Sequence, residues 1–175
     1  MWIETFKGKP VLTKKAVILG LALLLSACGY HLRGAFQLPE NMKNVYVEGG
    51  SGPLHEQFSQ VMKSSSGQLA SSRQGAGIVI KIFNEEFNRR VLSLSARGKS
   101  NEFELNYRLD YELANAGDAL LMERQTVDIR RAYYNDQQFV IAKDNEEAMI
   151  RNEMYLQAVN TIVNRARVVL EAGAK

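Results

Sequence analysis

The chain has 175 residues and a formal net charge of +3, from 22 Lys and Arg against 19 Asp and Glu. That length allows one domain that buries its own core without covalent staples. A single cysteine excludes an internal disulfide, and one cysteine with two histidines excludes a Cys/His zinc cluster.

Lys7, Lys9, Lys14 and Lys15 precede a small and apolar run, Ala16 to Leu25, and Cys28 follows shortly after. Basic, greasy, small is the layout of an export signal. Ten residues of helix span about 15 Å, half the roughly 30 Å hydrocarbon core, so the run is too short for a permanent span. Leu25-Ser26-Ala27-Cys28 resembles the lipobox of bacterial lipoproteins. That resemblance implies cleavage after residue 27, a diacylglycerol on the Cys28 sulfur and an acylated new amino terminus. The other reading of Cys28 is a buried free thiol, which does not explain its basic and apolar flank. Gly29, rather than Asp, follows the cysteine, and by the same resemblance this points to the outer membrane. Residues 28–175 then form a single periplasmic domain. Removing four lysines and Glu4 with the signal takes 22 bases and 19 acids to 18 of each, so the mature domain is neutral. The net positive charge is therefore no sign of nucleic-acid binding.

Residues 29–44 lack periodicity and read as an extended tether. Asn44–Glu48 alternates as a short strand. Gly49-Gly50-Ser51-Gly52 ends it, and Pro53 suits the first position of a helix. Leu54, Phe58, Val61 and Met62 follow on one helical face. Gln68–Gly77 is rich in Ser, Gly and Gln and reads as a loop, with a brief extended piece near Leu69. A strand opens at Ile78, is expected to bulge around Asn84-Glu85-Glu86, and resumes through Phe87, Val91, Leu92 and Leu94. Ser95–Ser100 turns the chain at Gly98. From Glu102 to Leu113 every odd position is apolar or aromatic and every even one polar, the pattern of a strand with one wet face. Asn115-Ala116-Gly117-Asp118 is a hairpin turn, and a further strand runs from about Ala119 to Tyr134. Asp144, with Glu147 three residues on, reads as a capping box. Ala148, Tyr155, Ala158, Val159, Ile162, Ala166 and Val169 then mark a long amphipathic helix. The expected fold is α+β: a four-stranded mixed sheet, one parallel crossover plus an antiparallel meander, with two helices packed on one face.

Catalytic patterns are scarce. No Gly-x-Ser-x-Gly elbow and no phosphate loop occurs. Gly49–Gly52 before a helix offers N–H groups to an anion or is a plain turn. Glu85-Glu86 and Glu146-Glu147 read as solvated charge. Arg89, Arg90, Arg97 and Lys99 fall in a stretch without acids, interleaved with Val91, Leu92 and Leu94, and are expected near a hairpin tip. Guanidinium groups beside leucines suit a ligand with phosphates and greasy chains. The alternative is a solvated tip, a common place for Lys and Arg.

Three stretches together resemble one family. They are Cys28-Gly29-Tyr30-His31-Leu32-Arg33-Gly34 after the lipobox, Asn101-Glu102-Phe103-Glu104-Leu105-Asn106-Tyr107 after a glycine turn, and Ala142-Lys143-Asp144-Asn145-Glu146 followed by Met149 and Asn152-Glu153-Met154-Tyr155. They are similar to the LptE family of lipopolysaccharide-assembly lipoproteins, over nearly the whole mature chain. The resemblance implies the fold above and a non-enzymatic role without a cofactor. In that family the domain plugs and helps assemble the LptD β-barrel and aids lipopolysaccharide delivery to the cell surface. It also implies lipopolysaccharide contacts near the hairpin tip, where Arg97 is the nearest match, and before the last helix, where Lys143 matches. Lys99, Arg89 and Arg90 complete the candidate basic set. The competing expectation is a free amphiphile-binding envelope lipoprotein without a barrel partner.

Overall fold

The structure, a computed structural model, describes residues 38–135 and 140–173, the latter with side chains from residue 145 onward. The Cys28 lipidation reading and the Cys28–Gly34 motif therefore lie outside the described residues. Five strands form one sheet in the order β2-β1-β3-β4-β5: β1 Asn44–Glu48, β2 Gln68–Leu69, β3 Ile78–Leu94, β4 Ser100–Ala114 and β5 Leu120–Tyr134. Helix α1, Gly52–Ser64, follows β1, and helix α2, Val140–Gly173, follows β5. The β1 strand pairs in parallel with both β2 and β3, and β3, β4 and β5 form the antiparallel meander.

The expected fold class is the one observed, with one more strand than the four anticipated. The fifth is the two-residue β2, where the sequence suggested only a brief extended piece near Leu69. Two residues carry no readable period, and β2 exists as a strand because Asn44 and Val45 pair with Gln68 and Leu69.

The core is the layer between the helices and one sheet face. From β4 it takes Leu105, Tyr107, Leu109, Tyr111 and Leu113, five consecutive odd positions with no exposed surface. From the other strands come Val45, Val47, Ile78, Ile80, Ile82, Val127 and Ile129. Leu54, Phe58, Val61 and Met62 of α1 close one side, as their spacing predicts. The buried stripe of α2 is Met154, Ala158, Val159, Ile162, Val163 and Ala166. Ala148 is exposed, contrary to its expected place on that stripe, because the aliphatic layer does not reach the start of the helix. Helix α2 also starts at Val140 rather than after Asp144. Glu147 is thus not a capping-box partner, and its carboxylate is used elsewhere.

Two backbone features fix the long hairpin. Gly49 has φ +78°, and a β-carbon there would lie 2.7 Å from the Ile82 carbonyl oxygen, so only glycine fits where the chain leaves β1 against β3. The bulge expected at Asn84-Glu85 is present: pairing jumps from Phe83↔Asp110 to Glu86↔Arg108, with two β3 residues facing Leu109. Asn84 takes φ 48°, a left-handed conformation that Asn tolerates, and its amide bonds Asp110 at 3.0 Å. The bulge turns Glu85 toward the helices. There its carboxylate accepts from the Ser51 N–H, from Ser51 Oγ at 2.7 Å and from Tyr107 Oη at 2.8 Å. The anion at the start of α1 is therefore supplied by the chain itself, and the Gly49–Gly52 segment serves as a turn capped by Glu85.

Candidate functional site

Above the bulge the aliphatic core narrows to Leu105 of β4, and aromatic rings take over. On its helix side Phe87, Tyr107 and Tyr155 form a cluster, with Phe87–Tyr107 centroids 5.5 Å apart and Tyr107–Tyr155 centroids 4.8 Å apart. Phe103 and Tyr133 stack beyond them at 5.7 Å. Arg151 of α2 lies 4.1 Å over the Phe87 ring, and Arg89 of β3 lies 4.8 Å over the Phe103 ring.

Both guanidinium groups converge on Glu147. Its side chain is 13% exposed and accepts from Arg89 Nη1 at 3.0 Å and from Arg151 Nε and Nη2 at 2.9 and 2.6 Å. The Tyr133 hydroxyl donates to the same carboxylate. Burial works to raise the Glu147 pKa, but the bonds from Tyr133, Arg151 and Arg89 outweigh it and hold the carboxyl below its usual range. Burial and the bond to Glu147 push the Tyr133 phenol up to about 12. The sequence gives Glu147 away only through Arg151 four residues on, the spacing of a helical ion pair. Its partners on β3 and β5 have no signature in the chain order.

The five basic candidates separate. Arg89 belongs to the Glu147 cluster on the helix side. Arg90 points to the opposite face and pairs with Glu104 at 2.7 Å. Arg89 lies five strand positions below Leu94, roughly 17 Å at strand spacing, so neither of these arginines stands at the tip as the sequence suggested. Arg97 and Lys99 do. They sit in the turn Ser95–Lys99, which is closed by Gly98 N–H to Ser95 O at 2.9 Å and Ser95 N–H to Lys99 O at 2.7 Å. Gly98 supplies the required positive φ of +76°. Arg97 and Lys99 are exposed and form no ion pair with any described residue. Val91, Leu92 and Leu94 beside them are 48%, 46% and 64% exposed. Among the described residues the tip thus offers cations without an ion-pair partner next to exposed aliphatic side chains.

Helix α2 begins at this same end. Strand β5 ends with Tyr134 opposite Glu102, and the Asn135 N–H bonds the Asn101 carbonyl at 2.9 Å. The helix then runs back along β5, since Glu147 meets Tyr133 and Arg165 meets the Thr126 carbonyl. Lys143 stands in the first turns of α2, about 6 Å further toward the tip than Glu147 at 1.5 Å per residue. Its side chain lies outside the described residues.

The sheet face away from the helices is polar across three strands. Lys81 bonds Glu112 and Asp118 at 3.3 and 2.7 Å, Arg130 bonds Asp128 at 3.2 Å, and Thr126 donates to Asp110 at 2.7 Å. A shallow depression of about 310 Å³ lies on this face, lined by Glu86, Asn88, Arg90, Asn106, Arg108, Asp128 and Arg130. Three arginines and two carboxylates are mixed there with two asparagines.

A profile of the LptE family, described as lipopolysaccharide-assembly, matches residues 42–166. The LPS-assembly lipoprotein LptE of Photorhabdus laumondii is 27% identical over 159 residues, covering 89% of this chain and 86% of that protein. The LPS-assembly lipoprotein LptE of Pectobacterium atrosepticum is 25% identical over 153 residues, covering 85% and 82%. Among solved structures, lipoprotein B of Nitrosomonas europaea superposes with a TM-score of 0.68 at 27% identity, over 83% of this chain and 94% of that one. The rare lipoprotein B of Shewanella oneidensis shares the fold, with a TM-score of 0.60 at 20% identity over 75% and 98%.

Proposed function

The chain belongs to the LptE lipopolysaccharide-assembly family, and from that premise we propose that it is an outer-membrane lipoprotein, anchored through Cys28, that plugs and helps assemble an LptD β-barrel and binds lipopolysaccharide at its hairpin tip. The role is non-enzymatic. Residues 1–27 are removed, and the chains on Cys28 hold residues 28–175 at the periplasmic face. Each buried methylene contributes about 0.8 kcal/mol, so two or more chains make attachment durable.

The observation that carries the ligand reading is the pairing of free charge with free apolar surface. Among the described residues Arg97 and Lys99 have no ion-pair partner while Arg89 and Arg90 do, and Val91, Leu92 and Leu94 are exposed alongside. An amphiphile with phosphates beside acyl chains satisfies both features at once. Lys143, in the first turns of α2, adds a third cation at the same end. Arg89 and Arg90 take a lesser part, since ligand phosphates must compete with Glu147 and Glu104 for them. The plug reading is supported by the polar sheet face, whose mixed charges suit a hydrated barrel wall better than a lipid or a single-signed partner.

Charge reversal tests the tip. Changing Arg97 and Lys99 together to Glu is expected to weaken binding of labelled lipopolysaccharide in detergent micelles by at least tenfold, about 1.4 kcal/mol. Both residues are solvent-exposed, so thermal stability should be unchanged. Full retention of binding would return the tip to a solvated hairpin end.

A further inference from the structure

Beyond the bulge the apolar layer between the hairpin and the start of α2 thins: Leu105 is the last fully buried aliphatic residue of β4, and Phe87, Phe103 and Ile150 are only partly buried. Ile82 is the last buried residue of β3, and beyond it the helix side carries Phe87, Arg89 and Val91, none of them buried. Beside the ring contacts of Tyr155 with Phe87 and Tyr107, a polar cluster joins the two elements there. One carboxylate binds a guanidinium from β3, a guanidinium from its own helix and a phenol from β5. We propose that Glu147 is a positioning residue: it clamps the first turns of α2 onto the hairpin and so sets the spacing between the tip cations and the end of the helix where Lys143 stands.

Three facts support this. Glu147 is 13% exposed, whereas Arg89 is 50% exposed, so the carboxylate is the shielded centre and not one half of a surface pair. Its partners come from two strands and one helix, so the bonds cross between elements. Each guanidinium is also laid over a ring, Arg89 on Phe103 and Arg151 on Phe87, which fixes its plane. Without the negative charge, Arg89 and Arg151 become like charges facing one site, and the contact turns from attraction to repulsion. The clamp then loosens where mostly partly buried side chains back it.

The effect on affinity rests on the lipopolysaccharide reading above, whereas the clamp itself does not. Glu147→Gln preserves shape and removes charge. In the full chain, hydrogen exchange is expected to rise about tenfold or more for amides in residues 145–153 and 87–91, given the strength of charge-assisted bonds, while the strands below the bulge keep their protection. Lipopolysaccharide affinity is expected to fall about three- to tenfold as the competent arrangement becomes less populated. Gln157→Ala serves as control. It removes the acceptor for Arg131 further down the helix and should leave affinity unchanged. Unchanged exchange in Glu147→Gln overturns the clamp. Raised exchange with unchanged affinity, where the Arg97/Lys99 reversal does weaken binding, overturns the positioning role. If that reversal also leaves binding intact, the tip reading is what fails, and the exchange result alone decides the clamp.

Discussion

Glu85 is the residue on which the hairpin bulge, the start of α1 and the fully buried Tyr107 ring meet, and replacing it has a cost that can be worked out bond by bond. Glu85→Ala removes the acceptor for the Ser51 N–H and hydroxyl at the helix start, a loss of about 1 kcal/mol for a capping interaction. It also strips the Tyr107 hydroxyl of its acceptor at 2.8 Å, on a residue with no exposed surface. A buried hydroxyl without a partner costs about 1–3 kcal/mol. The sum is a destabilisation of about 2–4 kcal/mol by urea denaturation, with the slope unchanged. Tyr107→Phe removes one bond and leaves Glu85 bonded to Ser51, so it should cost about 1 kcal/mol. In the double variant the Tyr107 term disappears, leaving a coupling of about 1 kcal/mol or more. Additive losses, or a Glu85→Ala cost below about 0.5 kcal/mol, a typical surface value, would refute the assignment of Glu85 as internal cap and phenol acceptor.

Gly49→Ala places a β-carbon 2.7 Å from the Ile82 carbonyl oxygen at φ +78°. The left-handed penalty alone is about 1–2 kcal/mol, and the clash adds to it, so the denaturation midpoint should fall clearly. The Glu147 cluster has a defined pH response. Its pKa is depressed in the folded state, so its contribution is complete above the ordinary carboxylate pKa and is lost as pH falls through the lower folded value. Exchange protection at residues 145–153 should be flat from neutral pH down to about 5 and fall only below about 4, once corrected for intrinsic exchange. A loss of protection between pH 6 and 7 would contradict the account.

Much of the fold is legible because a half-buried antiparallel strand writes its geometry into alternate positions. The odd residues from Leu105 to Leu113 are the strand's buried side, and the polar even ones face away. The α1 stripe and the bulge at Asn84-Glu85 were equally visible, one as helical spacing and the other as a break in alternation. What the sequence conceals is extent. Phe87, Val91, Leu92 and Leu94 look like more of the same strand, and they are, but the layer that covers it thins beyond Ile82, leaving Phe87 partly buried and Val91, Leu92 and Leu94 exposed. The same limit explains why Ala148 is exposed on a helix whose later turns are buried. The basic residues show the matching ambiguity. Arg89, Arg90, Arg97 and Lys99 read as one cluster along the chain. Alternation sends Arg89 to the helices and Arg90 to the open face, and only pairing with distant Glu147 and Glu104 distinguishes them from the free pair at the tip. Glu147 itself was hidden by a plausible local role as a capping-box partner, which an earlier helix start removed.

The most direct test of the central claim is recovery of the tagged protein from intact outer membranes in mild detergent, with every component weighed by intact-mass spectrometry. The account predicts a polypeptide beginning at Cys28 with acyl chains attached, held in a complex with a large β-barrel. A chain that begins at Met1 with an unmodified thiol, or an acylated chain that emerges alone, would contradict it.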